Sequence, residues 1–121
     1  MLRSLIAVSL LTSSLAWAMP PSAKISDGVL TNAAGMTLYT FDRDVADSGK
    51  SACNGACATN WPPLPADASA GSGADWSVIT RDDGSKQWAY QGKPLYLWSK
   101  DAKPGDRSGQ GVNGVWQLAK P

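Results

Sequence analysis

Histidine is missing from the 121 residues, and all the acidic side chains are aspartates, so glutamate is missing too. Without an imidazole, no Ser-His-Asp triad, Cys-His dyad or histidine metal site can be assembled, and zinc and copper lose their commonest ligand. Acid–base chemistry would fall to aspartate, tyrosine or lysine. The lack of glutamate removes a good helix former, whereas aspartate prefers turns and caps, and 12 glycines and 8 prolines push the same way. Long apolar runs are scarce as well. The one that exists, residues 5–15, is too short to cross a bilayer. With Arg3 before it and Ala16-Trp17-Ala18 after it, the run has the positive, apolar, small-x-small order of a secretory signal.

Cleavage after Ala18 is therefore expected, leaving residues 19–121 as one small domain with no membrane span. No cysteine stands at that junction to carry a lipid, so a soluble periplasmic or secreted protein is expected. Charge of one sign is lacking too, because 11 basic residues face 10 acidic ones and Arg3 departs with the signal. That balance argues against nucleic acid and anionic membrane surfaces as partners.

What the chain does have is aromatic residues and a repeat. Trp61, Trp76, Trp88, Trp98 and Trp116 follow the signal, and each large aromatic ring removes roughly 150–250 Å² from water on burial. The phrase Leu38-Tyr39-Thr40-Phe41-Asp42-Arg43-Asp44 returns as Leu95-Tyr96-Leu97-Trp98-Ser99-Lys100-Asp101. Glycine precedes each copy, at Gly35 and Gly92. A duplicated unit of this kind buries its apolar face against its twin.

Strand signals run over 24–30, 36–41, 76–80, 86–90, 94–98 and 114–118, separated by turn residues at 32–35, 81–84 and 91–92. Residues 53–61 allow one short helical turn before Pro62-Pro63 ends it. Residues 103–111 read as a glycine-rich loop. The pattern predicts an all-β domain of two fused repeats, built of short antiparallel strands with long loops as a sandwich or small barrel-like body. Repeat 1 covers about 24–64, a connector 65–74, and repeat 2 about 75–118.

Alternation places Tyr39 and Phe41 on one strand face, with Leu38 and Thr40 on the other, and gives Tyr96 and Trp98 a shared face. Asp44 and Asp101 stand three residues beyond the second aromatic, where a carboxylate accepts N–H groups of the following loop. The structural reading is a core of two ring-bearing faces meeting at a pseudo-twofold centre. The functional reading is a surface on which Tyr39, Phe41, Tyr96 and Trp98 stack on a ligand that Asp44 and Asp101 orient.

Cys53 and Cys57 are the only cysteines. In an oxidising compartment they are expected to close a small disulfide loop. The alternative is a dithiol for redox exchange or copper(I), although the spacing differs from the Cys-x-x-Cys of thioredoxin-like enzymes. Asp42, Asp44 and Asp47 have some flavour of a calcium loop but miss its ligand register, and Asp82-Asp83-Gly84 reads as a hairpin turn. No metal or cofactor is expected. No acid and base are singled out, so the expectation is a monomeric, non-enzymatic module for an unknown ligand or envelope component. A small redox or metal-handling protein is the alternative.

The paired Tyr-x-(Phe/Trp)-x-x-Asp phrases, the segment Cys53…Cys57…Trp61-Pro62-Pro63-Leu64 and the lead-in Tyr90-Gln91-Gly92-Lys93-Pro94-Leu95-Tyr96 resemble a bacterial family of secreted repeat proteins and predicted lipoproteins. The likeness runs from about Gly28 to Leu118. It implies an extracytoplasmic repeat with no assigned activity, and it supplies no catalytic residues. Many members of that family look lipid-anchored, a feature that the Ala16-Trp17-Ala18-Met19 junction does not share.

Overall fold

The computed structural model describes residues 23–67 and 73–121. The expected signal over 1–18 and the middle of the connector lie outside them. Seven short strands and one short helix follow in order: β1 Ala23–Ser26, β2 Val29–Asn32, β3 Tyr39–Phe41, α1 Ala56–Asn60, β4 Trp76–Thr80, β5 Lys86–Tyr90, β6 Lys93–Pro94 and β7 Trp116–Leu118. A 3-10 turn, Val112–Gly114, precedes β7. The all-β expectation holds. The strands make three small antiparallel sheets, β1-β2, β3-β7 and β4-β5-β6, rather than a closed barrel.

Local chemistry explains the turns. Residues 24–30 do not form the continuous strand expected of them, because Asp27 and Gly28 take φ of 47° and 80° and fold the chain into a two-residue hairpin with Ser26 opposite Val29. Gln91 and Gly92, at φ 50° and 81°, make the same kind of turn between β5 and β6. After β2, the Asn32 side-chain oxygen accepts the N–H groups of Ala34 and Met36 at 3.0 and 2.9 Å, which fixes the longer turn into β3.

β1-β2 belongs to the first repeat and β4-β5-β6 to the second, but the remaining sheet is shared between them. β7, from the second repeat, pairs with β3 of the first, Tyr39 opposite Leu118 and Phe41 opposite Trp116. In return, the first repeat's tail runs beside the second repeat's motif. Leu97 N–H donates to Pro62 O at 2.7 Å and Ser99 N–H to Asn60 O at 2.9 Å, with a bridge between Pro63 and Tyr96. Pro62 and Pro63 lack N–H groups, so this second ladder is limited to isolated bonds. The motif strands also meet directly, Tyr39 N–H to Tyr96 O at 2.8 Å and Tyr96 N–H to Tyr39 O at 2.9 Å.

Two closed rings of backbone hydrogen bonds knit the exchange. Leu30 N–H donates to Ala119 O, Ala119 N–H to Leu38 O and Leu38 N–H to Leu30 O, at 2.9, 2.9 and 3.0 Å. The second ring repeats the scheme with Trp88 to Leu64, Leu64 to Leu95 and Leu95 to Trp88, at 2.9, 2.9 and 3.0 Å. Each triangle takes two corners from one repeat and one from the other. Their six residues are also the six buried members of one apolar core. Burial of each leucine there contributes roughly 1.5–3 kcal/mol, so backbone pairing and core packing depend on the same residues.

The motif strands divide the interior. Leu38, Leu95 and Leu97 turn to that core, while Tyr39, Phe41, Tyr96 and Trp98 turn to a second, aromatic core with Cys53, Trp61 and Trp116. This alternation is the one expected from the sequence.

Candidate functional site

The duplicated motif is where chemistry would be sought, and there the two copies exchange partners. The Tyr39 hydroxyl donates to Asp101 Oδ2 at 2.6 Å across 62 residues, and the Tyr96 hydroxyl donates to Asp44 Oδ2 at 2.6 Å across 52. Each tyrosine therefore bonds the aspartate of the other repeat. The remaining carboxylate oxygens serve their own loops. Asp44 Oδ1 accepts Ala52 N–H at 2.6 Å, and Asp101 Oδ1 accepts Ser108 N–H at 3.0 Å and the Ser108 hydroxyl at 2.6 Å. The exit-turn role anticipated for both aspartates is present. The crossed tyrosine bonds were not anticipated.

Around these pairs the environments differ. Ser51 Oγ lies 2.6 Å from the Tyr96 hydroxyl and accepts from Arg81 Nη1 at 3.0 Å. Arg81 is only 4% exposed, and its other partners are Gln87 Oε1 at 2.7 Å and the Cys53 carbonyl. This guanidinium connects through Ser51 and Tyr96 to Asp44, so a buried cation and a half-buried anion terminate one polar chain. On the other side Gly109 N–H donates to the Tyr39 hydroxyl at 3.1 Å. A Cβ on Gly109 would stand 2.8 Å from the Tyr39 ring and 2.9 Å from Trp61, so only glycine fits that close approach.

The rings form a column. Phe41 stacks on Trp116 at 4.2 Å between centroids, Trp116 on Trp61 at 3.8 Å, and Trp61 on Trp98 at 3.9 Å. Repeat membership alternates along it. Tyr39 meets Trp61 edge-on at 5.4 Å, and Tyr96 meets Trp116 edge-on at 5.1 Å. Of the six candidate binding residues, Tyr39, Tyr96 and Asp101 are buried, and Asp44 is half-buried with its oxygens engaged. Phe41 and Trp98, the column's ends, are half-buried, and the Lys100 ammonium lies 5.8 Å from the centroid of Trp98.

Cys53 and Cys57 form a disulfide, with Cys53 wholly buried beside the aromatic core. Closing so short a loop contributes only about 2 kcal/mol on the chain-entropy relation. It secures α1, which has no side-chain cap, rather than the whole domain. Asp42 accepts from Gln117 while Asp44 faces Tyr96, so the aspartates of that loop do not converge on one point. A cleft of about 210 Å³ between the β1–β2 hairpin and the loop bearing Arg107 contains none of the six candidates.

A family model described as a secreted repeat of unknown function matches residues 22–65 and again 77–120. The chain belongs to that family. No curated protein and no solved structure matches it. In this member of the secreted-repeat family the two matched stretches coincide with the two halves that exchange strands, and each contains one Tyr-x-(Phe/Trp)-x-x-Asp copy. Among the described residues no helix is long and apolar enough to cross a membrane.

The family motif has a pH signature. Burial, reinforced by the hydrogen bond to a carboxylate, raises both Tyr39 and Tyr96 well above the ordinary tyrosine value. Burial also pushes the Asp44 carboxyl up, against the pull of the Tyr96 hydroxyl and the Ala52 amide. A fold that holds phenolic protons more tightly than the unfolded chain keeps that advantage below about pH 10 and loses it as the pH rises further. Near-ultraviolet circular dichroism should therefore vanish in the same alkaline step that brings up the phenolate absorbance of these two rings. Ionisation of all three tyrosines near pH 10, with the dichroism intact, would contradict the buried pairs.

Proposed function

We propose that this protein is a non-enzymatic, extracytoplasmic binding module associated with the cell envelope, reaching the periplasm or the medium after cleavage near Ala18. The observation that carries the reading is the crossed tyrosine–aspartate exchange. It uses the motif's polar groups inside the fold, whereas a general acid or base must reach its substrate. What the motif leaves toward solvent is a ring end.

Trp98 has one face against Trp61 and Lys100 above it. An indole whose outer cover is an exposed lysine, free to swing aside and pair with an anion, suits a sugar face carrying a carboxylate, so envelope glycan is the ligand class that this end fits. The test is co-sedimentation of the folded protein with purified peptidoglycan sacculi. Binding should fall severalfold in K100A, most clearly at low salt, and further in W98A. Lys100 is exposed, so its replacement leaves the fold intact. Parent protein that stays in the supernatant would refute envelope glycan binding, and equal sedimentation of both variants would refute the Trp98 end as its surface.

A further inference from the structure

The contacts that join the two repeats would form equally well between repeats of different chains, since none of them requires both repeats to lie on one chain. Two bonds of each backbone triangle, the Tyr39–Asp101 and Tyr96–Asp44 pairs and the β3–β7 ladder join a first-half residue to a second-half residue. We propose that two copies of this chain exchange repeats, the first repeat of each docking on the second repeat of the other in a closed dimer. The occupant must be a second copy, because the vacated place is specific. It needs a strand with the spacing of Trp116–Ala119, a residue at the 119 corner that buries to 2% exposure, and a carboxylate positioned for the Tyr39 hydroxyl.

The connector sets the balance between one chain and two. Ala66 is fixed beside Lys86, its N–H donating to Lys86 O at 3.1 Å. Gly73 is fixed to Trp76 O at 2.8 Å, and Trp76 pairs with Tyr90. The two fixed ends therefore stand on opposite edges of β5, about 13 Å apart along it at roughly 3.3 Å per residue. About seven peptide steps reach up to ~25 Å, enough to close within one chain. Removing residues 68–72 leaves about two steps and a reach of roughly 7 Å, which forbids it. In the intact chain a tether this short presents the partner repeat at an effective concentration on the order of millimolar, so micromolar protein closes on itself.

Thr40 and Gln117 sit opposite one another across the exchanged ladder, which gives a probe on the full chain. T40C and Q117C chains, their native disulfides intact, are unfolded together, refolded at about 1 mM and oxidised gently. Exchange predicts a T40C–Q117C covalent dimer on the order of tenfold above the T40C–T40C product, because only exchanged chains align those positions. The variant lacking residues 68–72 should elute as a dimer at micromolar concentration with its near-ultraviolet dichroism preserved. Either a mixed dimer no more abundant than the like pair, or a deletion variant that is monomeric with parental dichroism, overturns the proposal. Should the deletion chain fail to fold, the full-length cross-linking result decides.

Discussion

Alanine at Asp101 is expected to lower stability by about 3 kcal/mol, enough to move the melting point of a domain this size by more than about 10 °C. The carboxylate is 8% exposed and accepts three hydrogen bonds, from the Tyr39 hydroxyl, the Ser108 amide and the Ser108 hydroxyl. Its removal leaves a buried phenol without its acceptor, and that penalty exceeds the net value of the bond itself. Alanine at Asp44 should cost less, because that residue is half-buried and serves two donors. A double-mutant cycle identifies the cause. Y39F and D101A should couple by about 1–3 kcal/mol, whereas Y39F and D44A should add to within about 0.5 kcal/mol. Coupling of Tyr39 to Asp44, inside one repeat, would contradict the crossed pairing.

W61A should be the most damaging change at a single tryptophan, at about 3–5 kcal/mol. Trp61 is 4% exposed and is held between Trp98 and Trp116, with Tyr39 against its edge. Its loss opens the middle of the ring column, and the backbone exchange on either side keeps neighbours from closing the gap. A small domain has only about 5–15 kcal/mol in hand, so the variant should be partly unfolded at body temperature. Urea titration measures this directly, as a lowered midpoint with an unchanged slope. Trp76, half-buried at the far sheet, provides the contrast, and a W61A loss no greater than that of W76A would remove the column from its central place.

The architecture was largely legible because its signals are local. Alternation assigned Tyr39, Phe41, Tyr96 and Trp98 to one face, and the Arg81–Gly84 and Gln91-Gly92 turns delimited β4 and β5. The strand expected over 94–98 shrinks to Lys93–Pro94 and isolated bridges at Tyr96, because its partners there are single residues of the other repeat, one of them a proline. The Asp27-Gly28 hairpin is equally local, an Asp-Gly pair being a strong turn signal, and it divides what reads as one strand over 24–30. What could not be read was which half completes which. Tyr39 bonding Asp101 and Tyr39 bonding Asp44 demand the same residues at the same spacing, so repetition leaves the two indistinguishable. Arg81 was also hidden. It begins a turn that reads as exposed, and its burial depends on Ser51, Gln87 and the Cys53 carbonyl, three partners spread along the sequence. The six candidate residues do come together, but the motif's polar groups are engaged within the fold, and of its rings only Phe41 and Trp98 keep partial exposure.

The strand exchange also sets an order of events during synthesis. A polypeptide is made amino end first, so residues 23–44 emerge well before Trp116–Ala119, which carry the third corner of their triangle. The early half cannot settle until the tail has been made. Because the stabilising contacts are so distant along the chain, folding is slow compared with that of a locally wired domain. The strand β7 and its Ala119 corner thus act as a clasp that only a finished polypeptide can fasten.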